Sequence, residues 1–326
     1  MKHFPLTPTV MSALVGALSL VSAISAEPPP RLHAQGNKLV DPQGKEVILR
    51  GVSIPYLSQK RDRTVEERIS MAHALGARVV RLPLYDRHRS LDPLGANEAY
   101  IRPAVEQATS LGMYAIIDFH AGDDLKQRVP NAHYFWHEIA PLYKDQPNVI
   151  FELYNEDSYF PNKKGRPWPE FKKLITPVVK VAREKAPETL LLVSAPAWSH
   201  QLEGIVEDPI DDSNVAYVSH LYPSHGKEFW QQAIDVKQHY PVFITEFGWQ
   251  NAGAQVNFTH RSTTRKWGNA FQEFLNANGF SWTAFCFDNE HAPVMFDKDW
   301  NLLGGDDYCG EAIVSWLREA MEKTPK

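Results

Sequence analysis

Two hydrophobic runs of the chain each carry a carboxylate near their end. The run Val149 to Glu156 reads Val-Ile-Phe-Glu-Leu-Tyr-Asn-Glu and ends in Asn155 and Glu156, and Glu246 stands near the end of the later run Pro241 to Gly248. Both runs have the composition of buried strands. Parallel strands of a β/α barrel direct their C-terminal ends to one face, where barrel active sites are built. Two convergent carboxylates there can cleave a glycosidic bond, one as the acid and the other as the nucleophile.

Other β-rich runs also carry polar or aromatic side chains at or near their ends, namely Arg81, His120, His220, Tyr222 and Trp282. Burying arginine, histidine or glutamate without partners is costly, so this recurrence predicts a site whose members pair with one another. An arginine near Glu246 would keep that carboxylate ionised, as a nucleophile requires. Glu156 would have to hold a proton, which partial burial and repulsion from Glu246 favour.

The elements that would position these residues alternate along the chain. Amphipathic helical patterns separate the runs, for example a pattern that begins at a capping box formed by Thr64 and Glu67 and ends at Gly76. This alternation predicts an α/β fold, a closed (β/α)8 TIM barrel, as a single catalytic domain over residues 27–326. The alternative, an open doubly wound sheet, would need a Gly-rich phosphate-binding turn after its first strand, and residues 51–55 do not form one. The eight predicted strands are Val47–Ile54, Arg78–Leu84, Tyr114–His120, Val149–Asn155, Leu190–Ala195, Asn214–Tyr222, Val242–Gly248 and Trp282–Asp288.

A short N-terminal β-hairpin is predicted ahead of the first barrel strand. The segment Asn37 to Glu46 carries turn residues at Asp41 to Gly44. We expect this hairpin to cover the N-terminal face of the barrel and to be structural, since barrel chemistry belongs to the opposite face.

Taken together, the residues at the strand ends resemble the active-site set of glycoside hydrolase family 5, the cellulase-type family of retaining β-glycanases in clan A. The resemblance extends from the predicted hairpin near Asn37 to the last helix near Trp316. Its motifs are Arg81 in Val-Val-Arg-Leu-Pro, His120 in Ile-Asp-Phe-His, the pair Asn155–Glu156, His220-Leu-Tyr222, Glu246 in Ile-Thr-Glu-Phe-Gly, and Trp282.

The resemblance implies roles for these residues. Glu156 would be the general acid/base and Glu246 the nucleophile, while Asn155 would contact the sugar 2-hydroxyl. The remaining roles it implies are that Arg81 and Tyr222 hold the nucleophile, that His120 and His220 line the cleft, and that Trp282 stacks on the sugar next to the scissile bond.

One position departs from the family pattern, and it bears on the substrate. Asp157 stands where family members usually have proline after the Asn–Glu pair. Because adjacent extended residues point apart, we expect Asp157 to face away from the site as a loop or N-cap residue. Among the aromatic residues that follow strands, Trp198 and Trp249 are the predicted sugar-binding subsites.

Composition limits the compartment and the partners. Residues 1–26 resemble a signal peptide, with Lys2, an apolar stretch and small residues before Glu27, so we expect a secreted or periplasmic protein without a membrane anchor. A formal charge of −5 argues against nucleic acid as a partner. Cys286 and Cys309 are the two cysteines, and export leaves a bridge and two free thiols as equal alternatives.

The predicted function is therefore a secreted glycoside hydrolase, an endo-β-1,4-glucanase (cellulase) that works as a monomer on a β-linked polysaccharide or oligosaccharide. It would need no cofactor and no metal. His133 and His137 have a spacing that can bind metal, but no third ligand accompanies them. The alternatives are a β-mannanase or another β-glucanase of the same family, a metal-dependent barrel hydrolase, and a non-catalytic carbohydrate-binding barrel, which would be expected to lack a carboxylate.

Overall fold

Eight parallel strands close into a barrel in a computed structural model that describes residues 26–57, 62–85, 91–161, 164–252 and 265–322. Strands that follow one another in the chain are neighbours in the barrel, and the last strand pairs with the first to close it. The predicted (β/α)8 TIM barrel is confirmed. Its strands are β3 (Arg50–Ser53), β4 (Val79–Tyr85), β5 (Tyr114–His120), β6 (Val149–Glu152), β7 (Leu191–Val193), β8 (Val215–His220), β9 (Val242–Glu246) and β10 (Ser281–Ala284), after the short strands β1 (His33–Gln35) and β2 (Lys38–Val40).

Helices cover the outside of the barrel between the strands. The first helix begins as predicted, because the Thr64 side chain accepts from the Glu67 N–H while the Glu67 carboxylate accepts from the Thr64 N–H. A π-helical turn, Asn97–Ile101, joins the second and third helices. The helices are α1 (Val65–Ala74), α2 (Pro93–Ala96), α3 (Arg102–Ser110), α4 (Leu125–Tyr143), α5 (Trp168–Lys185), α6 (Pro196–Ser199), α7 (Lys227–Lys237), α8 (Arg265–Ala277) and α9 (Gly310–Glu322).

The N-terminal hairpin closes the bottom of the barrel, as predicted. Strands β1 and β2 pair antiparallel around a turn at Gly36 and Asn37, which lies earlier than the predicted turn. The predicted turn also forms, with the Gly44 N–H donating to the Asp41 carbonyl at 2.9 Å, and it brings Val40 into a single antiparallel bridge with Glu46. Leu32 and Leu39 belong to the same buried cluster as residues from the lower ends of the barrel strands, such as Ile116. This face is filled with apolar side chains, so any polar chemistry has to lie at the other end of the barrel.

Register places polar residues of neighbouring strands side by side near the upper face. Asp118 on β5 pairs with Glu152 on β6, and His220 on β8 pairs with Glu246 on β9 after a register shift between Ser219 and His220. The shift is a bulge-like irregularity, which re-aims the side chains that follow it. It brings the His220 ring level with the Glu246 carboxylate.

Three smaller predictions concern the cysteines and the chain's N-terminal segment. Cys286 and Cys309 are both buried with free thiols, and the Cys286 Sγ donates to the His291 carbonyl at 3.2 Å. The predicted signal peptide, residues 1–26, lies outside the described residues except for Ala26. Within the part of the chain that the structure describes, no helix has both the length and the apolar character needed to cross a membrane.

Candidate active site

Arg81 is the cation at the centre of a buried charge cluster. It is fully buried on β4, and its Nη1 donates to Glu246 Oε1 at 2.7 Å. Its Nε and Nη2 donate to the two oxygens of Glu152 at 2.7 and 2.9 Å. The same Nη2 also donates to Asn155 Oδ1 at 2.7 Å and lies 2.9 Å from Asp118 Oδ2. A guanidinium presents its donors in a fixed fork, so this set of contacts holds the Glu246 carboxylate in one orientation.

Glu246 is built to remain ionised. Its second oxygen accepts from the Tyr222 hydroxyl at 2.9 Å, and the residue is 5% exposed. Burial alone raises the pKa of a carboxyl group, but the positive charges of His220 and Arg81 outweigh this effect and lower the pKa of Glu246 to about 2. At neutral pH the group is a fixed carboxylate with one face open to the cleft.

Glu156 faces Glu246 across the mouth of the barrel in a different environment. Its side chain is 20% exposed, and its Oε1 lies 2.7 Å from His220 Nδ1. Each of Glu156, His220 and Glu246 offers one ligand atom, and these three atoms all lie within 4.8 Å of one another. The two carboxylates are therefore close enough for a bond to form directly between one of them and a sugar held against the other.

His220 connects the two carboxylates. It is fully buried, with its Nδ1 3.8 Å from Glu246 Oε2 and its Nε2 2.9 Å from the Thr245 hydroxyl. Burial lowers the pKa of a histidine, but the negative charges of Glu246, Glu152 and Glu156 outweigh it here and raise the pKa of His220 to about 10. The surrounding carboxylates thus keep a proton on the ring or in its contact with Glu156.

Comparison with known proteins identifies the family to which this site belongs. The family model described as cellulase (glycosyl hydrolase family 5) matches residues 40–291. The chain belongs to glycosyl hydrolase family 5. It is similar to Endoglucanase N of Pectobacterium atrosepticum, with 32% identity over 92% of this chain and 68% of the relative. It is also similar to Endoglucanase 5 of Pectobacterium carotovorum subsp. carotovorum, with 31% identity over 92% of this chain and 59% of the relative.

Solved structures agree with this membership. A β-glucanase from Saccharophagus degradans superposes with a TM-score of 0.79 and 25% identity, covering 92% of this chain and 96% of that one. The catalytic domain of Thermobifida fusca endoglucanase Cel5A has the same fold, with a TM-score of 0.74, 23% identity, and coverage of 88% and 97%. This chain is accordingly a family 5 glycoside hydrolase with a cellulase-type barrel.

Two of the predicted sugar-binding residues of this family 5 chain do not lie in the cleft. Trp282 is 1% exposed on the second position of β10, where its ring meets Phe247 and Trp316. Trp249 is fully buried against Trp267 of α8 and Trp316 of α9. Neither ring has a face open to a sugar, so the predicted stacking role is wrong for both.

The aromatic ring that follows β10 at the upper face is Phe285. It forms a small cluster with Tyr222 and Cys286, so it lies beside the residue that holds Glu246. Phe285 follows the last residue of β10, whereas Trp282 lies at the second position of that strand and so below the upper face.

The predicted role of Trp198 as a sugar-binding subsite stays a prediction. Trp198 is half-buried, with its ring 5.0 Å from that of Phe160. Ala197, Trp198 and Ser199 all have positive φ angles, a costly conformation for residues other than glycine. The surrounding loop holds this turn, because the Trp198 N–H donates to the Asp157 carbonyl and the Ser199 hydroxyl donates to the Asn155 carbonyl.

Asp157 faces away from the site, as predicted. It is fully buried, and its Oδ1 accepts from the Leu125 N–H at the start of α4. Its Oδ2 lies 3.0 Å from Arg166 Nε. The residue that replaces the family's usual proline therefore anchors the loop after β6 to α4 and does not touch the catalytic pair.

Sequence reasoning did not single out three polar residues of the site, Asp118, Glu152 and Thr245. Asp118 Oδ2 lies 2.6 Å from His120 Nδ1 and so orients that ring, which packs 4.2 Å from the ring of Tyr85. Glu152 and Thr245 lie beneath the catalytic pair. The available signal was a charged residue inside an otherwise apolar strand, which needs a buried partner such as Arg81.

Among the residues that the structure describes, one group of three potential ligands lies close enough together to hold a metal ion. It consists of Glu156, His220 and Glu246. Arg81 already donates to one oxygen of Glu246, and the raised pKa of His220 favours a protonated ring, which has no lone pair for a metal. Both features oppose a bound cation at this position.

Proposed function

We propose that this family 5 enzyme is a secreted, retaining endo-β-1,4-glucanase that acts by double displacement, with Glu246 as nucleophile and Glu156 as acid/base. The observation that carries the proposal is the approach of a Glu156 oxygen and a Glu246 oxygen to within 4.8 Å. Retaining glycosidases hold their carboxyl groups about 5–5.5 Å apart, and inverting ones hold them about 6.5–9.5 Å apart to admit a water. The names of the two Pectobacterium relatives support the endoglucanase assignment.

In the first step, a Glu246 oxygen attacks the anomeric carbon while the bond from that carbon to the glycosidic oxygen breaks. Glu156 gives its proton to the leaving oxygen, and the product is a covalent glycosyl ester on Glu246. Arg81 and Tyr222 fix the direction of attack through the two oxygens of Glu246.

In the second step, Glu156, now ionised, takes a proton from a water molecule. The water oxygen attacks the anomeric carbon, the ester bond to Glu246 breaks, and Glu246 leaves as a carboxylate. The enzyme returns to its starting protonation state. Two inversions at the same carbon give a product with the β-configuration of the substrate.

The sugar next to the scissile bond would meet Asn155, His120 and Phe285. Asn155 accepts from Arg81 with its side-chain oxygen, which leaves its amide N–H groups to donate to the 2-hydroxyl. Phe285 takes the stacking role that the sequence assigned to Trp282, and Trp198 provides a second ring for a longer glucan chain.

Export and substrate rest on separate observations. The signal-like residues 1–26 support secretion. A solved β-glucanase with the same fold was crystallised in complex with cellotetraose, which supports a β-1,4-linked glucan as the substrate to test first. A β-mannanase or another β-glucanase is the alternative, because a shared fold and catalytic pair do not by themselves select the orientation of the sugar hydroxyls.

Proton NMR of the anomeric signals during the first minutes of hydrolysis of a soluble cello-oligosaccharide tests the proposal. We expect the β-anomer to appear first and the α-anomer only later, through mutarotation. An initial α-anomer would contradict the nucleophile role of Glu246. Product analysis on cellulose derivatives, mixed-linkage glucan, mannan, xylan and laminarin then tests the substrate, and activity that survives dialysis against a chelator would rule out the metal-dependent alternative.

A further inference from the structure

Beneath the two catalytic carboxylates, a chain of hydrogen bonds runs through three strands. Glu156 Oε1 meets His220 Nδ1, His220 Nε2 meets the Thr245 hydroxyl, and the Thr245 hydroxyl donates to Glu152 Oε1 at 3.1 Å. Glu152 in turn accepts twice from Arg81. All residues of this hydrogen-bond chain except Glu156 are fully buried. Water therefore does not compete for the bonds between them.

The positions of the hydrogens in this chain follow from the Glu152 end. Glu152 is ionised, because Arg81 and His220 outweigh the effect of burial and lower its pKa. An ionised carboxylate can only accept, so the single hydrogen of the Thr245 hydroxyl points to Glu152. The hydroxyl then has only a lone pair for His220, and His220 Nε2 must carry a hydrogen.

With Nε2 bound to Thr245, the other ring nitrogen of His220, Nδ1, is the one that contacts Glu156. With Nε2–H fixed, Nδ1 either donates to ionised Glu156 or accepts from protonated Glu156, across the 2.7 Å contact. The contact therefore holds one proton in either arrangement. In the first reaction step Glu156 needs that proton, and in the second it needs to be a base.

We propose that Glu152 is a positioning residue that fixes the tautomer of His220 through the Thr245 hydroxyl, and so keeps one exchangeable proton in the contact between His220 and Glu156. The inference rests on the proposed function only in taking Glu156 as the acid/base. Glu152 touches no substrate. It acts through two buried side chains that reach it from other strands of the barrel, Arg81 on β4 towards the nucleophile and Thr245 on β9 towards the acid/base.

The carboxylates around His220 favour a protonated ring, and the neighbouring imidazoles do not cancel this effect. The carboxylates of Glu152 and Glu246 each lie 3.8 Å from a ring nitrogen and stabilise a protonated ring. Two neighbouring imidazoles oppose it, His200 and His225, but burial and His220 itself lower the pKa of both, to about 3 and about 4, so both are neutral above pH 5. The titratable and charged groups that face His220 are thus Glu152, Glu156, Glu246, His200 and His225.

The test is the pH dependence of kcat/KM for an aryl β-cellobioside with a poor leaving group, whose alkaline limb reports loss of the shared proton. Thr245→Val removes the hydroxyl at nearly constant shape, and we expect the alkaline limb to move down by about one pH unit. Thr245→Ser restores the hydroxyl and should restore the limb. Glu152→Gln should move the alkaline limb to a still lower pH, because this change also removes the negative charge of the carboxylate.

Thr283→Val is the matched control. It also removes a buried hydroxyl, which donates to the Thr245 carbonyl at 2.7 Å and not to the side chains of the hydrogen-bond chain. The alkaline limb of the kcat/KM profile should therefore stay in place. An alkaline limb unchanged in Thr245→Val, or shifted equally in Thr283→Val, would overturn the inference while leaving the proposed function intact.

A second measurement does not depend on activity. Nitrogen-15 NMR of the histidines in the wild-type protein should show His220 Nε2 protonated across the neutral range. A spectrum with a bare Nε2 would refute the tautomer assignment even if a variant failed to fold. Wild-type protein inactive on every β-glucan would count against the proposed function alone.

Discussion

Two glutamates of the same chemistry have different partners, and this difference supports the different tasks proposed for them. Glu246 is bound through both oxygens, by Arg81 and by Tyr222, and its lowered pKa keeps it ionised. Glu156 meets His220 and is partly open to solvent. Environments that give two carboxyl groups different tendencies to hold a proton determine which group serves as the acid and which as the nucleophile.

Removing each carboxylate should have different consequences. Glu246→Ala is expected to lower kcat by about four orders of magnitude or more on every substrate, because no step proceeds without the nucleophile. Glu156→Ala should lose about 10²- to 10⁴-fold with poor leaving groups and little of the first step with good ones, which need no proton. Added azide then distinguishes the two sites. It should yield the β-glycosyl azide from Glu156→Ala and the α-glycosyl azide from Glu246→Ala, and the same anomer from both would show that the roles are misassigned.

At the level of the elements, the sequence predicts the order of strands well and their side-chain directions poorly. Strand β5 has the predicted bounds, and the other seven barrel strands lie at the predicted places. Several hydrophobic runs extend beyond the assigned strand, as Leu153 to Asn155 does after β6, where the Leu153 and Asn155 N–H groups still donate to carbonyls of the neighbouring strands. The polar strand ends were found because charge interrupts these runs.

The error at Trp282 has a physical cause. Strands of a parallel barrel are buried on both faces, so their sequence lacks the alternation that would tell inside from outside. A tryptophan in such a strand packs equally well against the surrounding helices, as Trp282 does against Trp316 of α9. Glu152 was missed for a related reason. The sequence of one strand does not show which side chain of another strand will pair with its residues.

The loop after β6 depends on a buried ion pair between Asp157 and Arg166. Asp157→Ala removes the pair and the acceptor for the Leu125 N–H, and we expect a loss of about 2–4 kcal/mol in the free energy of unfolding. Because Asp157 faces away from the cleft, the effect on kcat should be small. Urea denaturation and steady-state kinetics measure the two quantities.

Glu170→Ala is the control for this prediction. It removes a half-exposed partner of the same arginine and should cost no more than about 1 kcal/mol. A large fall in kcat for Asp157→Ala, with stability unchanged, would contradict the structural role.

For the whole molecule, two buried histidines and one half-buried histidine predict a maximum of stability near the ordinary histidine pKa of 6.5. The pKa of His220 is raised to about 10, so its contribution is complete below pH 6.5 and is lost as the pH rises towards 10. The pKa values of His200 and His225 are lowered, to about 3 and about 4, so their contributions are complete above pH 6.5 and are lost as the pH falls. The free energy of unfolding should therefore decline on both sides.

Urea denaturation at about pH 5, 6.5 and 8 measures this profile. His200→Phe should flatten the acid side and leave the alkaline side as it is, because His200 is neutral above pH 6.5 in both the folded and the unfolded chain. A free energy of unfolding that rises steadily from pH 5 to 8 would contradict the assignment of charge to His220.

Closure of the barrel joins its first strand to its last. The Leu49 N–H donates to the Ser281 hydroxyl across 232 positions of sequence, and β3 pairs with β10 directly above this bond. Such distant contacts raise the contact order and slow folding. A growing chain has two unpaired strand edges until β10 has been synthesised, and unpaired edges favour association between chains. The barrel can therefore close only after β10 has been synthesised, and until then the chain is exposed to aggregation.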